Sequence, residues 1–172
     1  TVDPHLHRYN SLNEIYRIPT RVVHAASLVS EWVKANVPNA LIIGLDSESE
    51  QWVSTVAKDA GAPYTVLQKV RRGDRAVEIS IEGLVAFGGR TPVLVDDIIS
   101  TGRTMLETIR LLKASGHAAP ICIAVHGLFA ADAYESLIEA GARLITCNTV
   151  PHPSNGIDLH SALGDAIQTL SN

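Results

Sequence analysis

Asp96 and Asp97 stand side by side after the apolar run Pro92-Val93-Leu94-Val95, and Ser100-Thr101-Gly102-Arg103-Thr104 follows almost at once. The two halves of this stretch do opposite electrostatic work. Adjacent carboxylates attract hydroxyl groups or a hard divalent cation and repel anions. A turn of small, hydroxylated residues that opens a helix attracts anions, because its backbone N–H groups have no intrahelical acceptor. The hydroxyls of Ser100, Thr101 and Thr104 can donate to the same anion, and Gly102 permits a backbone conformation that few other residues reach. The halves are compatible if one ligand carries both kinds of group. A phosphorylated pentose does so: its hydroxyls meet the acids, directly or through Mg2+, and its 5-phosphate meets the turn. The plainer alternative is an ordinary strand-to-helix turn with a hydroxyl cap and solvated acids.

A second charged feature is the run 69–75, which carries Lys69, Arg71, Arg72 and Arg75 and is followed by the alternating segment 76–81. It reads as a basic loop or hairpin, serving either as a solvated basic face or as a clamp for phosphates. Asp46 follows the apolar run 40–44, and Asp3 and His5 lie near the start of the chain. His126 follows an apolar strand and reads as a structural or interface residue. His7, His24, His152 and His160 show no metal-ligand spacing.

The elements that must position these residues alternate along the chain. Short apolar runs over 40–44, 63–67, 91–95, 120–125 and 143–147 read as strands. Helical periodicity covers 22–34, 48–60, 104–114, 130–140 and 158–170. Strands apolar on both faces and separated by helices predict an α/β fold with a parallel-sheet core flanked by helices, interrupted by the basic hairpin. Ligands of such sheets bind beyond the carboxyl ends of the strands, where Asp96 and Asp97 fall.

Bulk properties narrow the function classes. A chain of 172 residues, 46% apolar, suits one domain with a substantial core. A net charge of −4 leaves no basic footprint for nucleic acid. No apolar run approaches the ~18 residues of a membrane span, and no signal-like segment opens the chain, so a cytoplasmic protein is expected. Cys122 and Cys147 sit in apolar segments without CxxC spacing and read as buried free thiols.

The stretch "VLVDDIISTGRT" resembles the ribose-5-phosphate loop of the type I phosphoribosyltransferase superfamily. More of the chain is similar to the C-terminal half of ribose-phosphate pyrophosphokinases, especially their archaeal-type branch. "TVDPHLHRY" resembles that family's D-x-H segment, and "GLDSESEQWV" occupies the place of its pyrophosphate loop. "LQKVRRGDRAVEI" resembles its flexible catalytic loop, "AVHGLF" a strand end, and "TCNTVPHPS" its "TDT-IP" element.

The resemblance implies a type I phosphoribosyltransferase-like domain spanning 1–172, as the C-terminal lobe of a longer two-lobed chain. It implies transfer of the diphosphoryl group of ATP to ribose 5-phosphate, giving phosphoribosyl pyrophosphate and AMP, with Mg2+ as cofactor. Lys69 and Arg71 would then be catalytic. Asp96, Asp97, Ser100, Thr101, Gly102, Arg103 and Thr104 would bind ribose 5-phosphate, Asp46 and His5 would bind ATP or pyrophosphate, and Asp46, Asp3 and His5 would serve the metal. It also implies a homo-oligomer.

Two departures stand out. Ser47-Glu48-Ser49-Glu50 replaces the usual glycine pair after the loop acid, and Arg103 replaces a common glycine. Two rival functions share the sugar-phosphate loop: a phosphoribosyltransferase that joins ribose 5-phosphate to a base, and a non-catalytic module that binds ribose phosphates.

Overall fold

The computed structural model describes residues 1–6, 8–9, 11–72, 76–80 and 82–171, with the backbone alone described at 48, 68–72, 76–80, 82, 83 and 85. Six strands form one parallel sheet: β1 (Ala40–Gly44), β2 (Tyr64–Val66), β5 (Thr91–Ile99), β6 (Ile121–Gly127), β7 (Arg143–Cys147) and β8 (Asn155–Ile157). Their order across the sheet is β2-β1-β5-β6-β7-β8. β3 (Gln68–Arg72) and β4 (Ala76–Ser80) make a separate antiparallel hairpin between β2 and β5, where the basic segment was expected.

Helices cover both faces, and the strand residues divide between them with a period of two. Ile42, Val93, Val95, Ile123 and Val125 share one core with α1 (Ala26–Asn36), α2 (Glu50–Ala60) and α5 (His160–Ser171). Leu41, Ile43, Leu94, Cys122 and Ala124 share the other with α3 (Arg103–Ala114) and α4 (Ala133–Glu139). Burial on both faces explains why the strands read as unbroken apolar runs. Both cysteines are free and buried. Burial pushes the Cys122 thiol far up, and burial with the Asp3 charge pushes Cys147 up to about 12.

The element bounds differ from the sequence expectation in informative places. β5 continues four residues past Val95, because Ile98 and Ile99 pair with His126 and Gly127 at the extended end of β6. Asp96 and Asp97 therefore belong to a strand, not to the loop after it. α1 begins at Ala26 instead of 22, since Val23 bridges Val2 and the Ala25 N–H donates to Asp3 Oδ2 at 2.8 Å. The expected helix over 48–60 opens with a 3-10 turn, Ser47–Ser49, before α2. α4 starts three residues late because Phe129 and Ala131 hold φ of 45° and 56°, outside helical space. The short edge strand β8 carries no sequence signal and depends on pairing with β7.

Candidate active site

The carboxyl ends of β1 and β5 and the segment before α1 enclose a cleft of about 1090 Å3. Asp3, His5, Asp46, Asp96 and Asp97, distant in sequence, all line it. Parallel pairing of β1 with β5, in which Gly44 faces Val95, brings the Asp46 loop beside the acid pair. The chain start reaches the cleft because Val2 bridges Val23 and His126 holds it from below. His126 Nε2 lies 3.2 Å from the Val2 carbonyl oxygen, and Nδ1 lies 2.9 Å from the Thr149 hydroxyl.

The site is crowded with negative charge. Burial, then the Asp97 carboxylate and more weakly Asp46, push the Asp96 carboxyl up to about 7. The Asp97 N–H, donating to Asp96 Oδ1 at 3.0 Å, works in the opposite direction. His5 answers part of this charge, since its Nδ1 donates to Asp97 Oδ2 at 2.6 Å. Asp3 is committed elsewhere: Oδ1 accepts from His24 Nδ1 at 2.8 Å, and Oδ2 accepts the Ala25 N–H at the entrance to α1. Asp46 caps the following 3-10 turn, accepting the Ser49 N–H at 3.0 Å, while the Ser49 hydroxyl donates to the Asp46 carbonyl at 2.8 Å. A glycine-free loop thus gains its own hydrogen bonds and runs straight into α2.

The turn after β5 has the features of an anion cradle. Gly102 sits at φ 63° and caps α3 without a side chain, and the first helical bond is Leu106 N–H to the Gly102 carbonyl at 2.8 Å. The amides of Arg103, Thr104 and Met105 therefore have no intrahelical acceptor. Glycine is favoured here on two counts: the left-handed φ, and a Cβ that would stand 3.1 Å from Leu137 Cδ1, so that the leucine tip would have to give. The turn is braced from β6, as Leu128 and Phe129 donate to the Ile99 carbonyl and Ala130 to the Ser100 carbonyl, each at 3.0 Å. Ser100, Thr101 and Arg103 are exposed, and Gly102 and Thr104 half-exposed.

Lys69 and Arg71 occupy alternate positions of β3, paired with Ile79 and Val77, so both belong to one face of the hairpin. Their side chains, along with His7 and residues 73–75, lie outside the described part. The structure also brings Arg21, His24, Ser49 and Trp52 to the cleft. Sequence reasoning missed all four, because no local pattern marks a residue that reaches a site through tertiary packing.

An acid pair on β5, a left-handed glycine and a bare helix start lie in succession on a parallel sheet wrapped by helices. The phosphoribosyl transferase domain family matches residues 11–162, and the chain belongs to that family. It is similar to the ribose-phosphate pyrophosphokinase of Methanopyrus kandleri, at 31% identity over 99% of this chain and 58% of that protein. It is similar also to that of Sulfolobus acidocaldarius, at 30% identity over 76% of this chain and 46% of that protein. The phosphoribosylpyrophosphate synthetase of Mycobacterium smegmatis shares the fold, with a TM-score of 0.79 at 22% identity, over 99% of this chain and 57% of that one. The APRTase of Giardia lamblia superposes less completely, with a TM-score of 0.57 at 22% identity over 71% of this chain and 77% of that one. The chain spans about half the length of the curated relatives it matches. Among the described residues, no helix is long and apolar enough to cross a membrane.

Proposed function

We propose that the chain carries the sugar-phosphate half of a ribose-phosphate diphosphokinase, which transfers the β,γ-diphosphoryl group of ATP to the 1-hydroxyl of ribose 5-phosphate. The observation that carries this reading is the strand-borne pair Asp96 and Asp97 running directly into the Gly102 cradle at the start of α3. The ribose 2- and 3-hydroxyls meet the acids, and the 5-phosphate meets the amides of 103–105 with the Ser100, Thr101 and Thr104 hydroxyls. Arg103, exposed at the first helical position, adds a cation beside the phosphate. Anchoring the sugar at both ends presents its 1-hydroxyl to the β-phosphorus. A bond from that oxygen forms as the bond to the α,β-bridging oxygen breaks, and AMP leaves. Lys69 and Arg71, carried on one hairpin face, spread the charge of the transferred group.

The donor set fits Mg2+. Among the described residues, no three His, Cys, Asp or Glu side chains converge to enclose a metal. Mg2+ typically takes one or two carboxylates and completes its shell with water and substrate phosphates. Crowding that raises Asp96 leaves the cleft short of positive charge, and a divalent cation relieves it. Asp46, Asp96 and Asp97 are the available oxygen donors, with His5 and Asp3 beside them; the Asp3 oxygens already serve His24 and α1. When bound, the ion neutralises phosphate charge and orients the donor.

The matched relatives are nearly twice as long as this chain, which supports a role as one lobe of a two-lobed enzyme. The deciding assay follows AMP release in the intact polypeptide. AMP should appear only when ribose 5-phosphate and Mg-ATP are both present. Ribose 5-phosphate binding without any AMP would favour the non-catalytic module. Base-dependent consumption of phosphoribosyl pyrophosphate would favour the transferase.

A further inference from the structure

Three rings from separate parts of the chain meet in one cluster: Phe129 just after β6, Tyr134 in α4 and His152 just before β8. Phe129 and Tyr134 meet edge to face with centroids 5.2 Å apart, and Tyr134 and His152 do so at 4.6 Å. Phe129 and His152 lie tilted against each other at 4.5 Å. All three are half-buried, and Phe129 and Tyr134 extend the core beneath α3 and α4.

The backbone of Phe129 sits at φ 45°, which a residue with a Cβ seldom adopts. That conformation accompanies a particular set of hydrogen bonds. The Leu128 and Phe129 N–H groups both donate to the Ile99 carbonyl, and the Ala130 N–H donates to the Ser100 carbonyl, each at 3.0 Å. Gly127 makes room for the ring, since a Cβ there would stand 2.7 Å from Phe129 Cε2. His152 is fixed from its own side. Its Nδ1 accepts the Ser154 N–H at 3.2 Å and lies 2.8 Å from the Ser154 hydroxyl oxygen, and its N–H donates to Asn155 Oδ1 at 3.0 Å. The Ser154 hydroxyl in turn lies 2.8 Å from that of Thr146 on β7, and both residues are buried.

We propose that Phe129 is a positioning residue for the sugar-phosphate turn, and that His152 and Tyr134 hold its ring in place. The path runs from β7 through Ser154 and His152 to the Phe129 ring, then through the backbone of 128–130 to Ile99 and Ser100. There the turn that ends in the bare amides of 103–105 begins. α4, which carries Tyr134, also packs on the turn's far end, with Leu137 and Ala133 beside Gly102. A strained backbone persists only where its surroundings over-determine it. Loss of the ring stack lets Phe129 relax, withdraws the donors from Ile99 and Ser100, and costs the cradle its preorganisation. The identity of the phosphate ligand rests on the diphosphokinase reading above; the coupling of the rings to the turn does not.

The test uses the intact polypeptide and ribose 5-phosphate calorimetry, which needs no turnover. His152→Ala and Tyr134→Ala should each weaken binding by about 3- to 10-fold, while His152→Phe and Tyr134→Phe, which keep a ring, stay within about two-fold. Phe129→Ala should lose about 10-fold or more, with recovery in Phe129→Tyr. In steady-state assays the KM for ribose 5-phosphate should rise while kcat and the KM for Mg-ATP stay within about two-fold. Hydrogen exchange at the Phe129 and Ala130 amides should quicken in His152→Ala. If Phe129→Ala does not fold, the half-buried His152 decides alone. Lower stability in His152→Ala with unchanged ribose 5-phosphate affinity would reduce the cluster to packing and overturn the proposal. Equal losses in His152→Ala and His152→Phe would also overturn it, by moving the role from the ring to the Ser154 hydrogen bonds. A parent protein that binds no ribose 5-phosphate would strike the diphosphokinase reading instead, and the exchange of the Phe129 and Ala130 amides would still decide whether the rings hold the turn.

Discussion

Replacing Asp96 by Asn should stabilise the metal-free protein by an amount that grows as pH rises from about 4 to about 7. The Asp96 carboxyl is raised from 3.8 to about 7, first by burial and then by the charges of Asp97 and Asp46. Between those values the folded chain holds a proton that the unfolded chain has released. The contribution of Asp96 to stability is thus fully present below pH 3.8 and is lost as pH rises through the folded value, at about 1.4 kcal/mol per unit. Between 3.8 and about 7 the whole loss comes to roughly 4 kcal/mol. Asn keeps the shape and cannot ionise, so it should recover a few kcal/mol at about pH 8 and little at about pH 4. Urea denaturation of both proteins across this range, with EDTA present, measures the difference directly. Millimolar Mg2+ should then narrow the gap at about pH 8 by stabilising the wild type. A stability difference that does not vary with pH would refute the electrostatic reasoning.

Gly102→Ala should cost about 1–2 kcal/mol from the left-handed φ alone, with more from the approach to Leu137, and should weaken ribose 5-phosphate binding in calorimetry. Wild-type stability would mean that the turn is not held as described. Asp3→Ala should cost about 1–2 kcal/mol in denaturation, since it removes the acceptor at the entrance to α1; unchanged stability would return Asp3 to a ligand role alone. Lys69→Ala should lower turnover and spare ribose 5-phosphate binding, whereas Asp97→Asn should weaken Mg2+-dependent binding; equal binding losses would show the two roles wrongly divided. A thiol reagent should label neither Cys122 nor Cys147 in the native protein and both after denaturation, because burial disfavours each thiolate.

The fold was legible because its strands are buried on both faces. Ala40–Gly44 and Arg143–Cys147 are short runs of apolar side chains cut by turns, and both emerge with the expected bounds. Errors cluster where tertiary contacts decide. Two adjacent aspartates oppose strand propensity, so 91–95 reads as the end of β5 until β6 supplies partners for Ile98 and Ile99. Val22 to Ala25 has helical composition, yet the bridge to Val2 and the Asp3 carboxylate set the start of α1. Asn155–Ile157 has no run to recognise and forms a strand because β7 leaves an edge beside it.

The site divides along the same line. Asp96 to Thr104 is contiguous, so its chemistry could be read from one stretch. The cleft around it could not. Trp52 has the spacing of a core residue, and Arg21 looks like any surface arginine. They come to line one cleft only when the first residues of the chain fold back along Val23. The loop at Asp46 illustrates the limit in the opposite direction. Its sequence, read by resemblance, sets two acids where glycines usually face a diphosphate. The fold instead uses Asp46 and Ser49 to close a hydrogen-bonded turn that leads into α2. That turn holds the loop without glycine and leads into α2, which carries Trp52 to the cleft three residues after Ser49.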